Sequence, residues 1–201
     1  MKTNDDGILE TNTLWTLDGF TKNKARVQIG DRIKLPDFTV PETEIKGQTE
    51  MSFDTLEVSD EAVIVGKETN GDFILVFDHC LFESAVDFNN TRDFKETQLN
   101  KYLSGEFLKA MQEAGIAGIK CGLLSYDEVF GEKRLVYFKK GRNRIAFDFE
   151  EVFSKWYWLG TPYKGSASAA YFCVVIDYGN AICNDAGNTS VYVRPRFVLA
   201  V

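Results

Sequence analysis

The most regular hydrophobic pattern in the chain is a pair of short apolar runs that predicts a β-hairpin. Residues 62–66 read Ala-Val-Ile-Val-Gly, and residues 73–77 read Phe-Ile-Leu-Val-Phe. The Asn70-Gly71 pair between them is typical of a type I′ turn, in which both central residues take positive φ. We therefore predict two antiparallel strands joined by a tight turn at Asn70-Gly71.

A helical period follows over residues 97–114. Its apolar side chains recur on one helix face, and they are Leu99, Tyr102, Leu103, Phe107, Leu108 and Met111. Gly115 is a candidate C-cap, and Gly105 is a weak point at which the helix is expected to break in two. Ser125 and Glu128 have the spacing of a capping box, which predicts a second, short helix.

The remaining patterns predict short strands and loops. Two strand-like runs lie between Trp15 and Leu35, and the polar stretch 39–54 is interpreted as a long loop or linker. Further strands are expected at 156–159, 170–176, 181–183 and 191–201. The chain is thus predicted to be an α+β protein of twisted antiparallel sheets, with one or two helices and a loop-rich C-terminal third. Residues 1–55 are interpreted as an N-terminal extension that begins with a loose lead-in over 1–12, and residues 56–201 as the main domain.

Composition adds limits to this picture. The 201 residues are 44% hydrophobic, enough for the core of one domain. No apolar run approaches the ~18–20 residues of a membrane span, so membrane insertion is not expected. The polar N-terminus lacks the apolar core of a secretory signal, which predicts a cytoplasmic protein, or a virion-associated one if it is a phage structural component. The four cysteines form no CxxC pair, and with a single histidine they predict neither a zinc site nor a cofactor.

The charge is uneven along the chain. The net formal charge is -7, and residues 42–96 contain 14 acids and 4 bases. This acidic stretch argues against nucleic-acid binding. It is compatible with a surface that meets a basic protein.

Two motifs near the C-terminus resemble a known family. Residues 156–163 read Trp-Tyr-Trp-Leu-Gly-Thr-Pro-Tyr, and residues 193–197 read Val-Arg-Pro-Arg-Phe. Together with the helix at 96–108, they resemble DUF6273, a family of unknown function common in Gram-positive bacteria and their phages. The resemblance extends over roughly residues 60–201. It departs from the family at Gly160 and Thr161, where Arg and Ser are usual, and at Arg196, where a small residue is usual.

The resemblance implies a C-type-lectin-like fold for residues 56–201. The fold is shared by formylglycine-generating enzymes and by the variable receptor-binding proteins of diversity-generating retroelements, and it implies a binding surface on the C-terminal loops. Tyrosine supplies rigid contact area and asparagine adaptable hydrogen bonds. The candidate ligand-binding residues are Tyr157, Tyr163, Tyr171, Tyr178, Asn180, Asn184, Asp185, Asn188 and Tyr192. The alternative is that these residues form turns and half-buried packing.

Strand parity gives Tyr157 its place among these candidates. Trp156 and Trp158 share parity on a strand and are assigned to the core, which leaves Tyr157 exposed on the other face.

Other chemistries have weaker support. His79 stands next to Asp78 without a nucleophile motif. Cys173 and Cys183 flank a turn whose length decides their faces: a two-residue loop at Tyr178-Gly179 separates them, and a three-residue loop through Asn180 puts them diagonally on one face. Calcium at Asp177, Asn184 and Asp185 is conceivable. The basic run 139–144 is either a solvated turn or a site for an anion or nucleic acid.

The sequence therefore predicts a non-catalytic binding module, phage- or prophage-encoded, that recognises a protein or glycan of a bacterial host. One alternative is a small acidic intracellular effector that inhibits a host defence nuclease through acids such as Glu57, Asp60 and Glu61. A second is a formylglycine-generating-like oxidase that uses Cys173 and Cys183. The sequence is compatible with an oligomer but has no feature that indicates one.

Overall fold

The fold is mixed α and β, with few helices and several mainly antiparallel sheets, as predicted. A computed structural model describes residues 13–165 and 170–200. The predicted lead-in over 1–12 lies outside them. The strands are β1 Leu14–Thr16, β2 Arg32–Lys34, β3 Phe38–Val40, β4 Thr43–Ile45, β5 Met51–Phe53, β6 Leu56–Val58, β7 Glu61–Lys67, β8 Phe73–Phe77, β9 Phe82–Glu83, β10 Gly118–Gly122, β11 Tyr157–Pro162, β12 Tyr171–Val175, β13 Ala181–Asp185, β14 Tyr192–Val193 and β15 Arg196–Leu199. The α-helices are α1 Leu17–Lys22, α2 Gln98–Tyr102, α3 Leu108–Glu113 and α4 Tyr126–Val129.

Two sheets carry most of the strands. The first has the order β1-β2-β7-β8-β15-β10, and the second has the order β13-β12-β11-β14-β9. Neighbouring strands are antiparallel except for β1 with β2 and β11 with β14, which are parallel. Because β13 ends its sheet, one of its edges has no partner strand among residues 13–165 and 170–200.

The predicted hairpin is confirmed, but its turn type is not. Strands β7 and β8 pair antiparallel, with Ile64 opposite Leu75. Gly71 has a φ of 95°, and its amide donates to the Glu68 carbonyl at 3.0 Å. Asn70 does not take positive φ, so the connection is a three-residue loop that ends in a left-handed glycine. A Gly in that position adopts this conformation without the steric cost that a Cβ imposes.

The predicted helix is confirmed over residues 98–113, with a wide turn in place of a break. Leu103–Phe107 forms one π-helical turn between α2 and α3, in which the Leu108 amide donates to the Leu103 carbonyl. Gly105 lies in this turn, and the backbone continues helically through it. Gly115 follows with a φ of 85°, as expected of a C-cap.

The polar stretch 39–54 is not a loop or linker, as the sequence suggested. It contains the hairpin β4–β5, nested inside the pairing of β3 with β6. Alternate residues point inward: Phe38, Val40, Met51 and Phe53 are buried, whereas Thr39 and Ser52 are exposed. The strands have only three residues each, which is too short for their alternation to stand out from a polar background.

Two hydrophobic clusters hold the sheets together. Phe73, Leu75 and Phe77 of β8 enter the larger cluster, and Ile74 and Val76 enter the smaller one. The larger cluster also takes Phe20, Ile33 and Val40 from the region predicted as an extension. Residues on both sides of the predicted boundary at 55/56 therefore share one sheet and one core. Within the described residues, no helix has the length and apolar character needed to cross a bilayer.

Replacing Gln98 should destabilise the fold, because this buried side chain links α2 to the β4–β5 hairpin. Its Nε2 donates to the carbonyls of Ile45 and Thr49 at 3.1 and 2.8 Å, and its Oε1 accepts from the Phe88 amide at 3.0 Å. We expect Gln98→Ala to lower the free energy of unfolding by about 2–3 kcal/mol, because it leaves these groups unpaired. Urea unfolding measures the change. Lys101→Ala, at an exposed position of the same helix, should change the free energy of unfolding by less than about 0.5 kcal/mol. An equally small effect of Gln98→Ala would show that the Gln98 side chain does not hold the hairpin to α2.

Candidate functional site

An open groove of about 520 Å³ lies in the C-terminal part of the molecule. We call it the C-terminal groove, and its lining is mostly apolar. It lies where α4, the end of β11 and the β12–β13 hairpin meet. The lining residues are Tyr126, Thr161, Pro162, Tyr163, Lys164, Cys173, Ala181, Ile182 and Cys183.

Helix α4 is fixed by its cap, and this places Tyr126 at the groove. The Glu128 amide donates to Ser125 Oγ at 3.2 Å, and the Ser125 amide donates to Glu128 Oε2 at 2.7 Å. This confirms the predicted capping box. The Tyr126 amide donates to Thr161 Oγ1 at 2.8 Å. Arg196 pairs with Glu128 at 3.3 Å and with Glu68 at 2.8 Å.

Two of the three departures from the DUF6273 pattern, Gly160 and Arg196, have local reasons. Thr161 keeps the hydroxyl of the usual serine, which accepts from the first turn of α4, and Arg196 ties α4 to the β7–β8 hairpin. Gly160 is needed because a Cβ at this position would lie 2.9 Å from the ring of Phe94. A larger residue at position 160 would require Phe94 to move.

The β12–β13 hairpin puts Cys173 and Cys183 directly opposite each other on one face. Its loop has three residues, Asp177–Gly179, closed by the Ile176 amide on the Asn180 carbonyl at 2.9 Å. The loop does not run through Asn180, so the cysteines are opposite rather than diagonal. Hydrogen-bonded pairs alternate along an antiparallel ladder, so the cysteines form a non-hydrogen-bonded pair with Cα atoms about 4.5 Å apart. That separation lies within the range for a disulfide.

Three of the predicted tyrosine and asparagine candidates are accessible at the groove or the hairpin tip. Tyr163 lines the groove, and Tyr178 is 81% exposed at the tip of the hairpin loop. Asn180 is exposed beside Tyr178.

Three other candidates are engaged in a local turn. Asn184 Oδ1 accepts from the Asp185 amide at 2.9 Å and from Asn188 Nδ2 at 3.2 Å. Asp185 Oδ1 accepts from the Gly187 amide at 2.8 Å, and Asn188 Oδ1 accepts from the Ser190 amide at 2.9 Å. Their side-chain oxygens therefore serve the turn, as the alternative interpretation proposed. Among the described residues, no three His, Cys, Asp or Glu side chains are grouped as a metal site requires.

Tyr157 is buried, and its assignment as an exposed ligand-binding residue is wrong. Its exposed fraction is 0%, and its hydroxyl donates to the Arg144 carbonyl at 2.8 Å. Burial raises the pKa of Tyr157 to about 12. The parity argument failed because both faces of β11 are covered, and because Trp156 precedes the strand and is 39% exposed. The other tyrosines, Tyr171 and Tyr192, are half-buried, and Lys155 lies over the Tyr192 ring.

Tyr126 and Ile182 were missed, although both line the groove. Tyr126 is the first residue of a helix whose cap was predicted, but its place at the groove depends on the bond of its amide to Thr161, which lies 35 residues further along the chain. Ile182 pairs with Val174 in the hairpin. Only the register of that pairing shows which residues line the groove beside Ile182.

His79 lies between two carboxylates. Its Nδ1 is 2.7 Å from Asp60 Oδ1, and its Nε2 is 2.8 Å from Glu151 Oε1. Burial lowers the pKa of His79, but the hydrogen bonds of its ring to the carboxylates of Glu151 and Asp60, with the charges of Asp60 and Asp78, raise it above its ordinary value overall. Glu151 adopts a φ of 52°, a left-handed conformation that is uncommon outside glycine and found at strained or functional positions.

The fold and groove thus define an α+β protein with an apolar, aromatic-rimmed cleft in its C-terminal part. DUF6273, described as a domain of unknown function, matches residues 118–201. The resemblance drawn from the two C-terminal motifs is confirmed for this part of the chain, which carries the whole groove. Residues 60–117 precede the match. No curated protein and no solved structure matches the chain.

The His79 cluster should make stability depend on pH. A raised pKa in the folded state means that the protonated ring stabilises the fold fully below its unfolded pKa of about 6.5, and that this contribution is lost as pH rises through the folded value. We expect the Tm difference between the native protein and His79→Asn to be largest near pH 6 and to shrink at alkaline pH. His79 is the only histidine, so proton NMR reports its titration directly. A pH-independent difference, or a titration below about 6.5, would contradict this assignment.

The opposed cysteines should form a disulfide when oxidised glutathione is added. Cys183 is exposed and attacks first, giving a mixed disulfide, and Cys173 then displaces reduced glutathione. The net reaction converts two thiols and one oxidised glutathione into one protein disulfide and two reduced glutathiones. Burial raises the pKa of the thiols of Cys80 and Cys121 to about 12 each, so they should stay reduced and serve as internal controls. Mass spectrometry of peptides distinguishes this product from a persistent glutathione adduct on Cys183, which would disprove the register.

Proposed function

We propose that this protein is a non-catalytic binding module of C-type-lectin-like architecture that recognises a protein or glycan of a bacterial host. The observation that carries the proposal is the C-terminal groove, where the exposed Tyr126, Tyr163 and Ile182 surround an open apolar cleft. Its volume lies in the range of ligand sites, about 300–1,000 Å³.

The chemistry of the groove supports recognition by stacking and burial. Tyrosine rings offer an apolar face to sugar C–H groups or apolar side chains, and a hydroxyl to polar ones. Lys164 and Thr161 add polar groups beside the rings. Tyr178 extends the surface to the hairpin tip. A site of this kind binds a partner without needing an acid, base or nucleophile.

The location of the groove supports the proposed fold relationship. It lies where α4, the end of β11 and the β12–β13 hairpin meet, in the C-terminal third of the chain, and a C-type-lectin-like domain binds ligands with its C-terminal loops. We further propose that the protein is phage- or prophage-encoded and acts in the cytoplasm or as part of a virion, as the resemblance to DUF6273 implied. A trimer or other oligomer would multiply the groove's affinity for a repetitive surface.

The groove proposal predicts that two substitutions together remove binding. The double variant Tyr163→Ala, Ile182→Ser should bind intact Gram-positive cells or purified envelope glycans at least about tenfold more weakly, because buried interface anchors each contribute about 2 kcal/mol or more. Fluorescent protein and flow cytometry measure retention on cells, and a glycan array measures sugar binding. Phe153→Ala, which changes an exposed aromatic residue outside the groove lining, should bind normally. Unchanged binding by the double variant would refute the proposal that the C-terminal groove is the binding site.

A second candidate function, inhibition of a host defence nuclease, rests on the nested hairpins formed by strands β3, β4, β5 and β6. Glu44 of β4 and Glu57 of β6 are exposed, as are Glu42, Glu50 and Asp54 in the connecting segments. This surface could present negative charge to the cationic channel of a nuclease. Of the acids that the sequence suggested for this surface, Asp60 and Glu61 are not available. Asp60 is buried against His79, and Glu61 is half-buried and pairs with Arg32 at 3.4 Å.

One experiment distinguishes the two candidate functions. If the protein is a nuclease inhibitor, charge reversal by Glu44→Lys with Glu57→Lys should abolish inhibition of a purified bacterial defence nuclease, and salt should weaken it. The groove variant should then inhibit normally. Inhibition that survives both the charge reversals and high salt would exclude the acidic surface.

A further inference from the structure

The free edge of β13 forms part of the wall of the C-terminal groove. Strand β13 pairs only with β12 among the described residues. Three consecutive residues of the strand, Ala181, Ile182 and Cys183, line the groove. Successive side chains of a strand point to opposite faces of its sheet. A cavity that contacts all three residues therefore extends along the edge of β13 rather than over one face of the sheet.

Two backbone hydrogen bonds at the ends of the hairpin fix which groups of β13 point to this edge. The Ile176 amide donates to the Asn180 carbonyl at 2.9 Å, and the Ala186 amide donates to the Ala170 carbonyl at 3.0 Å. Hydrogen-bonded pairs alternate along an antiparallel ladder. The even-numbered residues of β13 therefore bond to β12, and the N–H and C=O groups of its odd-numbered residues point to the free edge.

The outward backbone groups of Ala181 and Cys183 are available. No hydrogen bond to the N–H or C=O of either residue is found within residues 13–165 and 170–200. The third odd-numbered residue, Asp185, already donates its amide to Asn184 Oδ1 at 2.9 Å. Ala181 and Cys183 lie about 6.5–7 Å apart along the strand. This two-residue spacing is the repeat at which an antiparallel strand forms its hydrogen bonds.

Strand β13 lacks the features that usually block an exposed edge. Its pairing with β12 has no bulge, and it contains neither Lys nor Pro. By contrast, β10 has an irregular register and carries Lys120, and β9 has only two residues. Ile182 is 41% exposed. The edge that borders the groove is therefore open to an added strand.

An extended peptide fits this wall better than a glycan or a second copy of the chain does. Backbone N–H and C=O groups at a two-residue repeat pair with another peptide backbone, and alternate side chains of the added strand enter pockets beside it. The groove is mostly apolar, and Lys164 is the only charged residue that lines it, so it suits apolar side chains. Each copy of the chain has a net charge of -7, which opposes pairing of two copies.

We infer that the C-terminal groove and the free edge of β13 together bind an extended, apolar peptide segment of a partner protein by strand addition. The backbone groups of Ala181 and Cys183 hold the peptide backbone, and alternate side chains of the peptide lie in the groove. This inference rests on the proposed binding function and narrows the ligand from a protein or glycan to an extended protein segment.

The probe is a short peptide that the native protein selects from a displayed random-sequence library, with the cysteines kept reduced. The groove variant Tyr163→Ala, Ile182→Ser should bind this peptide at least about tenfold more weakly. Single N-methyl groups on the peptide backbone should weaken binding by about tenfold at alternate positions only, because every second amide of an added strand bonds to the edge. Failure to select a peptide, or losses that do not alternate, would overturn the inference.

Amide hydrogen exchange measures strand addition in the native protein. In the free protein, the amides of Ile182 and Asn184 should exchange slowly and those of Ala181 and Cys183 quickly. The bound peptide should slow exchange at Ala181 and Cys183 by about tenfold or more. Unchanged exchange at both residues while the peptide is bound would show that side chains alone hold it, which would overturn strand addition and leave the groove as the binding site.

A proline substitution removes the outward donor of Cys183. Proline is tolerated on edge strands where the N–H faces solvent, so Cys183→Pro should fold. Cys183→Ala keeps the amide and serves as the reference for the lost thiol. We expect Cys183→Pro to bind the peptide about tenfold more weakly than Cys183→Ala does, and equal affinity would contradict strand addition. A native dimer in sedimentation that Cys183→Pro abolishes would assign the edge to a second copy instead.

Discussion

Strand β11 carries Trp158 into the larger hydrophobic cluster and Tyr157 and Leu159 into the smaller one. The same alternation occurs in β8, whose five residues are all buried. Each of these two strands is therefore covered on both faces, and the sheet around it is packed between two apolar surfaces. Each apolar face of a sheet has to be covered by another segment of the chain. Two-sided burial therefore decides which segments fold against the sheets.

Two-sided burial also decides where polar groups must be paired. Trp158 Nε1 donates to the Ser84 carbonyl at 2.7 Å, and the Tyr157 hydroxyl donates to the Arg144 carbonyl. Arg194 Nε donates to the Phe77 carbonyl. Each hydrogen bond satisfies a buried donor. Each also fixes a backbone carbonyl that lies in an irregular segment or next to one. The large side chains of the strands thus hold the loops in place. Arg194 differs from the other two because its Nη1 is buried and has no hydrogen-bond partner among the described residues, while its guanidinium lies over the Tyr157 ring.

Long or distinctive signals in the sequence predicted their elements correctly. The apolar runs of β7 and β8, the helical period over 98–113 and the capping box at Ser125 each depend on neighbouring residues alone. Tyr157 and the hairpins within 38–58 were misassigned because their environment is set by residues far along the chain. Parity along β11 tells which residues share a face, but only the second cluster shows that the opposite face is covered too. The opposition of Cys173 and Cys183 likewise depends on a loop length that local sequence leaves open.

The segment 123–156, between β10 and β11, borders both the C-terminal groove and a second cavity beside His79. Tyr126 borders the groove, whereas Arg142 and Phe147 border the second cavity. Apart from α4, the segment has only 3₁₀ turns and a single bridge between Phe147 and Ser154. It is held by Leu124, Val129 and Phe138, which enter the smaller cluster against Tyr157 and Val175. Because one set of apolar anchors positions the walls of both cavities, the smaller cluster holds a largely irregular segment in a defined place. The core that buries Tyr157 is therefore also what holds Tyr126, a wall residue of the proposed binding groove, in place.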